Sequence, residues 1–160
     1  MKKLLSTEFE IFASLDDCSS NVKALMNHAK NNLGHSFSPY SKFKVSCSLL
    51  LANGKIINGT NQESSSIPVG ICAEANALYY SGNTFPKESV KMMAITAFSS
   101  AKEINFPIPP CGSCRQVICD FENRQKKPIK IYLQGKEGEV WAFDSIESLL
   151  PFSFDGSFLE

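Results

Sequence analysis

Between residues 20 and 33 the apolar positions Val22, Leu25, Met26, Ala29 and Leu33 recur at helical spacing, with Ser19 or Ser20 as cap and Gly34 as terminator. That stripe predicts an amphipathic helix with one face to cover. The period then changes. Residues 43–52 and 55–61 read as extended segments joined through Asn53-Gly54, a dipeptide that tolerates the positive φ of a two-residue hairpin turn. Upstream, 8–13 alternates with Phe9, Ile11 and Ala13 on one side, which predicts a short strand with that face on a core. Downstream, 71–80 reads as a helix, 90–98 as a buried strand, 112–122 as a helix and 129–133 as a strand. A turn at 135–138 leads into a strand at 140–143, and 145–150 makes a last short helix before Pro151. Strands alternating with helices imply an α/β fold whose sheet is covered on both faces, and the hairpin makes that sheet mixed.

Length and charge narrow the field. A chain of 160 residues fits a single domain over 1–160 and can bury a sizeable core without staples. Sixteen basic and sixteen acidic side chains cancel, so no global field attracts a phosphate backbone, and nucleic acid is not expected as a partner. Met1-Lys2-Lys3-Leu4-Leu5 begins like a signal peptide, but Ser6, Thr7, Glu8 and Glu10 interrupt it. No stretch is long and apolar enough for a membrane span. The expected location is the cytoplasm, where thiols stay reduced, so six cysteines suggest metal or catalysis before disulfides.

Chemistry concentrates in two clusters, Cys72-Ala73-Glu74 and Pro110-Cys111-Gly112-Ser113-Cys114. A hydrolytic zinc site needs three protein ligands, an open fourth position for water and a proton carrier beside it. Cys111 and Cys114, three apart at a helix start, lie on one face with Cβ atoms roughly 5 to 6 Å apart. Cys72 and Glu74 are two apart and do not face each other along a helix flank, so a shared ion must lie off the helix's N-terminal end. There the positive end of the dipole favours thiolate. Three thiolates on Zn²⁺ leave a net charge of about −1, which two helix termini, each worth about half a positive charge, offset in part. Alone, C-x-x-C also fits a redox dithiol or a structural zinc half-site, and Cys-Ala-Glu alone is near noise. Together the clusters match the zinc deaminase signature, with cysteine as first ligand.

The chain also resembles the small, homotetrameric cytidine deaminases over nearly its full length. The residues that carry this are Ser38-Pro39-Tyr40-Ser41-Lys42-Phe43, Asn61-Gln62-Glu63, Pro68-Val69-Gly70-Ile71-Cys72-Ala73-Glu74, Pro110-Cys111-Gly112-Ser113-Cys114-Arg115-Gln116 and Leu149-Leu150-Pro151. The resemblance implies a three-layer α/β/α fold with a five-stranded mixed sheet. It also implies hydrolytic deamination of cytidine and 2′-deoxycytidine to uridine and 2′-deoxyuridine in pyrimidine salvage. Cys72, Cys111 and Cys114 would hold one Zn²⁺ per subunit, and Glu74 would carry protons to N3 of the base and then to the leaving amine. Phe43 would pack on the base, Asn61 and Glu63 would bind ribose hydroxyls, and backbone groups at Ala73 would recognise the base. Phe154 would reach a neighbouring subunit's site.

Each of these residues also has a plain reading. Phe43 suits a core, Phe154 suits packing of the terminus beside Phe152 and Phe158, and Asn61 and Glu63 suit a turn and a surface. Cys18, Cys47 and Cys119 have no partner at ligand spacing and read as small core or surface thiols. His28 lies off the helix's apolar stripe and His35 lies in a loop, so both read as solvated.

The chain departs from the family pattern in three places. Ala75 stands where relatives usually carry an arginine that counters thiolate charge, a role left to Arg115, Asn76 or another donor. Ile67 stands where many have tyrosine, and Ser46-Cys47 where a Gly-Ala pair is usual. Competing functions are deamination of a related compound such as blasticidin S, a non-catalytic zinc protein and a thiol oxidoreductase.

Overall fold

The computed structural model describes residues 1–159. Its strands are β1 (Glu10–Phe12), β2 (Phe43–Leu51), β3 (Ile56–Thr60), β4 (Val90–Ser99), β5 (Lys130–Gln134) and β6 (Val140–Phe143), and its helices α1 (Ser20–Asn32), α2 (Ala73–Thr84) and α3 (Gly112–Gln125). The strands make one mixed sheet in the order β1-β6-β5-β4-β2-β3. The β4–β5 pair is parallel, with α3 as the crossover between them, and the other pairs are antiparallel.

Alternation along the central strands divides the core. Met92 and Ala94 of β4 face α1, where Leu25, Met26 and Ala29 meet Leu50, Ile56 and Tyr132. Met93 and Ile95 face the other way, into a cluster with Cys47, Leu49 and Ile57 of the hairpin, Ala77 and Leu78 of α2, and Ile118 and Phe121 of α3. Because successive strand side chains point to opposite faces, one strand serves both layers. The result is the expected α/β/α sandwich. Leu25, Met26, Leu49 and Leu78 are fully buried, and each such side chain contributes about 1.5 to 3 kcal/mol of transfer energy.

The structure differs from expectation in four places. The sheet has six strands rather than five, because Glu10–Phe12 pairs with Ala142–Val140 and covers an edge that β6 would otherwise leave open. On β1 the buried face is the opposite one. Phe12 joins Cys18, Val22 and Val140, while Phe9 and Ile11 stay about half exposed, although the Phe9 ring stacks on Phe143 at 5.2 Å. The α1 stripe reaches the Phe12 side, and alternation alone cannot say which side a distant helix will cover. The hairpin turn holds three residues, since Leu51 N–H donates to Lys55 O and only Gly54 takes a positive φ, of 83°. Finally, 145–150 contains a single 3₁₀ turn at Ile146–Ser148, and α1 runs into another at Leu33–His35 without a left-handed Gly34.

Candidate active site

Two helix starts meet at one point. Cys72 is the N-cap of α2 and Cys111 the N-cap of α3, where its sulfur accepts from Cys114 N–H at 3.5 Å. Close packing of α2 on β3 fixes the first start. A Cβ on Gly59 would lie 2.5 Å from Ala73 O and 2.5 Å from Ala77 N, so only glycine lets the helix approach. Paired hydrogen bonds between Ile71 and Gln62 hold the entry to Cys72 beside the extended chain beyond β3. At the second start, Arg115 donates from Nε to Pro110 O at 2.9 Å and from a terminal nitrogen to Leu149 O at 2.8 Å. The arginine thus clamps α3 to the C-terminal stretch.

The sulfurs of Cys72, Cys111 and Cys114 all lie within 4.8 Å of one another, and the Cys72–Cys111 pair is 3.8 Å apart. Tetrahedral zinc with Zn–S near 2.3 Å asks for sulfurs about 3.8 Å apart, so the triad fits the ion. Cys114 is buried while Cys72 and Cys111 are exposed, which opens the site to one side. The crowded sulfurs perturb one another. Hydrogen bonding from Cys114 pulls Cys72 down to about 6 against its burial, with help from Cys111, and the same contact drives Cys114 up.

Glu74, in the first turn of α2, is 4% exposed, which is rare for a carboxylate. Burial raises its pKa first and Cys72 adds to the effect, while hydrogen bonds from its own backbone and from Cys114 act the other way. A buried carboxyl next to the metal-fitting sulfurs is placed where a proton carrier is needed. Cys47 is fully buried on the sheet face that α2 covers, and its thiol is raised by burial and by the Glu74 charge.

Cys72 also lines a cavity of about 640 Å³ together with Tyr40, Ser41, Asn61, Glu63 and Ile67. The extended chain continues past β3, since Phe37 N–H donates to Asn61 O and Glu63 N–H to Phe37 O. Asn61 and Glu63 therefore share a side, as the sequence pattern suggests. Phe43, Ala73 and Glu74 are not on the cavity wall but adjoin residues that are. Phe43, the first residue of β2, has its carbonyl bound by Asn61 Nδ2 at 2.9 Å. Ala73, the first residue of α2, is fully buried, with its carbonyl over Gly59. Phe154 is half exposed, and its carbonyl accepts from Gln116 on α3 at 2.7 Å.

The suggested replacements for the missing arginine are engaged elsewhere. Arg115 serves Pro110 and Leu149, and Asn76 donates to Thr60 O at 3.0 Å. Ala75 itself is buried. Cys18, Cys47 and Cys119 are buried, and His28 and His35 are exposed. The residues that hold Glu63 in place escaped the sequence reading. Two serines flanking Pro39-Tyr40 were the available signal, because short hydroxyl side chains in turns bond nearby chain.

The family model for the cytidine and deoxycytidylate deaminase zinc-binding region matches residues 19–127, a span that holds all three sulfurs, Glu74, Asn61 and Glu63. The chain belongs to this deaminase family. It is 33% identical over 116 residues to a cytidine deaminase of Halalkalibacterium halodurans, covering 72% of this chain and 80% of that protein. A cytidine deaminase of Sporosarcina psychrophila is 32% identical over 134 residues, covering 84% and 91%. Among solved structures, the cytidine deaminase of Burkholderia pseudomallei superposes with a TM-score of 0.72 at 31% identity, covering 82% of this chain and 98% of that one.

Proposed function

We propose that the protein is a zinc-dependent cytidine deaminase that adds water to cytidine or 2′-deoxycytidine and releases ammonia and the uracil nucleoside. The observation that carries this is the meeting of three sulfurs within 4.8 Å beside the buried carboxyl of Glu74. Cys72, Cys111 and Cys114 would hold the ion, which supplies Lewis acidity to a water molecule. Glu74 would take one proton from that water and hand it to N3 as the water oxygen bonds to C4, then take the second from the new C4 hydroxyl and hand it to the amine as the C4–N bond breaks, leaving a carbonyl and ammonia. Asn61 and Glu63 bind the sugar in the cavity, Phe43 backs the base, and Ala73 contributes its backbone.

The cavity is lined by the apolar Ile67 and by Tyr40, which a lone chain leaves 85% and 63% exposed. Apolar side chains bared around a site suit cover by another copy. That cover fits the assembly we propose, a homotetramer with Phe154 entering a neighbour's site, working in the cytoplasm on a small nucleoside rather than on nucleic acid or membrane. Among the described residues no helix is long and apolar enough to cross a membrane.

The test is loss of absorbance near 280 nm with cytidine, deoxycytidine and blasticidin S, run on protein of measured zinc content. Turnover of the first two supports the proposal. Turnover of blasticidin alone redirects the substrate, and an unchanged spectrum with full zinc leaves a structural metal.

A further inference from the structure

The Glu63 carboxylate is already held before any ligand arrives. Its Oε2 accepts from Tyr40 N–H at 2.9 Å and from Ser41 N–H at 3.3 Å, and its Oε1 accepts from the Ser41 hydroxyl. The same hydroxyl accepts from Phe43 N–H at 3.1 Å. A hydroxyl has one hydrogen and two lone pairs, so Ser41 donates to the carboxylate while receiving from the strand. Between them stands Lys42, whose φ of 56° places a non-glycine residue in the left-handed region. Such conformations persist only where surrounding bonds over-determine them, and they gather at functional sites. Here Lys42 N–H bonds to Ser38 O at 3.1 Å, closing the turn.

Asn61 is held as firmly. Its Oδ1 accepts from Ser36 Oγ at 2.6 Å and Val45 N–H at 2.8 Å, and its Nδ2 donates to Phe43 O. Both oxygen lone pairs are in use, so one N–H is left for a ligand. Glu63, hydrogen-bonded in its ionised form, keeps only acceptor capacity. One donor beside one acceptor matches a hydroxyl, which accepts from the first and donates to the second.

We propose that Ser41 is a positioning residue for substrate: seated by the turn at Lys42, its hydroxyl aims the Glu63 carboxylate and locks it to the start of β2. This rests on the reading that Asn61 and Glu63 meet sugar hydroxyls. Ser41 acts through Glu63: removing its hydroxyl frees Oε1, while the Tyr40 and Ser41 amides still hold Oε2, so the carboxylate loses its aim rather than its anchor.

The experiment compares steady-state kinetics of Ser41→Ala, Ser41→Thr, Glu63→Ala and the double variant on cytidine and on 2′,3′-dideoxycytidine, which lacks the 2′- and 3′-hydroxyls and keeps the 5′-hydroxyl. Loss of a hydrogen bond to a charged group predicts that Ser41→Ala raises KM for cytidine about tenfold with kcat within about twofold. Ser41→Thr, which keeps the hydroxyl, restores the wild-type KM. On the dideoxy substrate Ser41→Ala leaves KM near wild type, and in the Glu63→Ala background it adds nothing. A wild-type KM in Ser41→Ala alongside a raised KM in Glu63→Ala overturns the positioning role and spares the sugar reading. An equal loss on both substrates also overturns it, because a loop that merely holds shape would not distinguish them. Glu63→Ala with an unchanged KM sinks the sugar reading itself.

Discussion

At the residue scale, the proposed function gives one carboxyl, Glu74, the chemistry and another, Glu63, the recognition. Glu74 is 4% exposed with its pKa raised by burial, so Glu74→Gln removes the proton carrier while leaving the three sulfurs in place. The expected result is a fall in kcat of roughly 10² to 10⁴-fold with zinc content unchanged, read by absorbance and metal analysis. Glu63 shifts the opposite way. The Ser41 hydroxyl, then the Tyr40 and Ser41 backbone amides, hold it below the usual 4.5. A lowered folded-state value means that its contribution to stability is present above pH 4.5 and is lost as the pH falls through the lower value. Wild type and Glu63→Gln should therefore differ in thermal midpoint at pH 7 and converge in acid. A gap that persists below the carboxylate range counts against the linkage. The sequence made both residues candidates, but burial of one and hydrogen bonding of the other come from groups distant in the chain.

At the element scale, the site depends on where α2 begins. Gly59 permits the contact between β3 and the first turn of α2, and a methyl there would meet two backbone atoms at 2.5 Å. Gly59→Ala should cost about 1 to 3 kcal/mol in urea denaturation and lower kcat as well, because the displaced turn carries Glu74 and follows Cys72. Gly34→Ala is the control. Its added methyl meets nothing within 4 Å and its φ is ordinary, so stability should hold or rise by up to about 1 kcal/mol. The sequence pattern located α1 to α3 and the six strands, because burial imprints a repeat on local sequence, but it expected a helix at 145–150 where a single 3₁₀ turn stands. It missed the buried side of β1 and the three-residue hairpin, since covering layers and turn geometry depend on contacts that no local repeat encodes.

At the scale of the molecule, exposed apolar side chains around the cavity argue for assembly. If Phe154 completes a neighbour's site, sedimentation should give a mass near four chains, and specific activity should fall on dilution below dissociation. Phe154→Ala should raise KM in the intact assembly. A fully active single chain would refute that arrangement. The sequence by itself marked Cys72, Cys111 and Cys114 as candidate ligands and indicated the helix starts and the α/β order, because motif spacing and local propensity suffice for those. Tertiary structure alone decided that Cys72 meets Cys111 across 39 residues, that Arg115 clamps backbone rather than facing the sulfurs, and that Ser41 grips Glu63. Such contacts join segments far apart in the chain, and a one-dimensional pattern carries no distance between them.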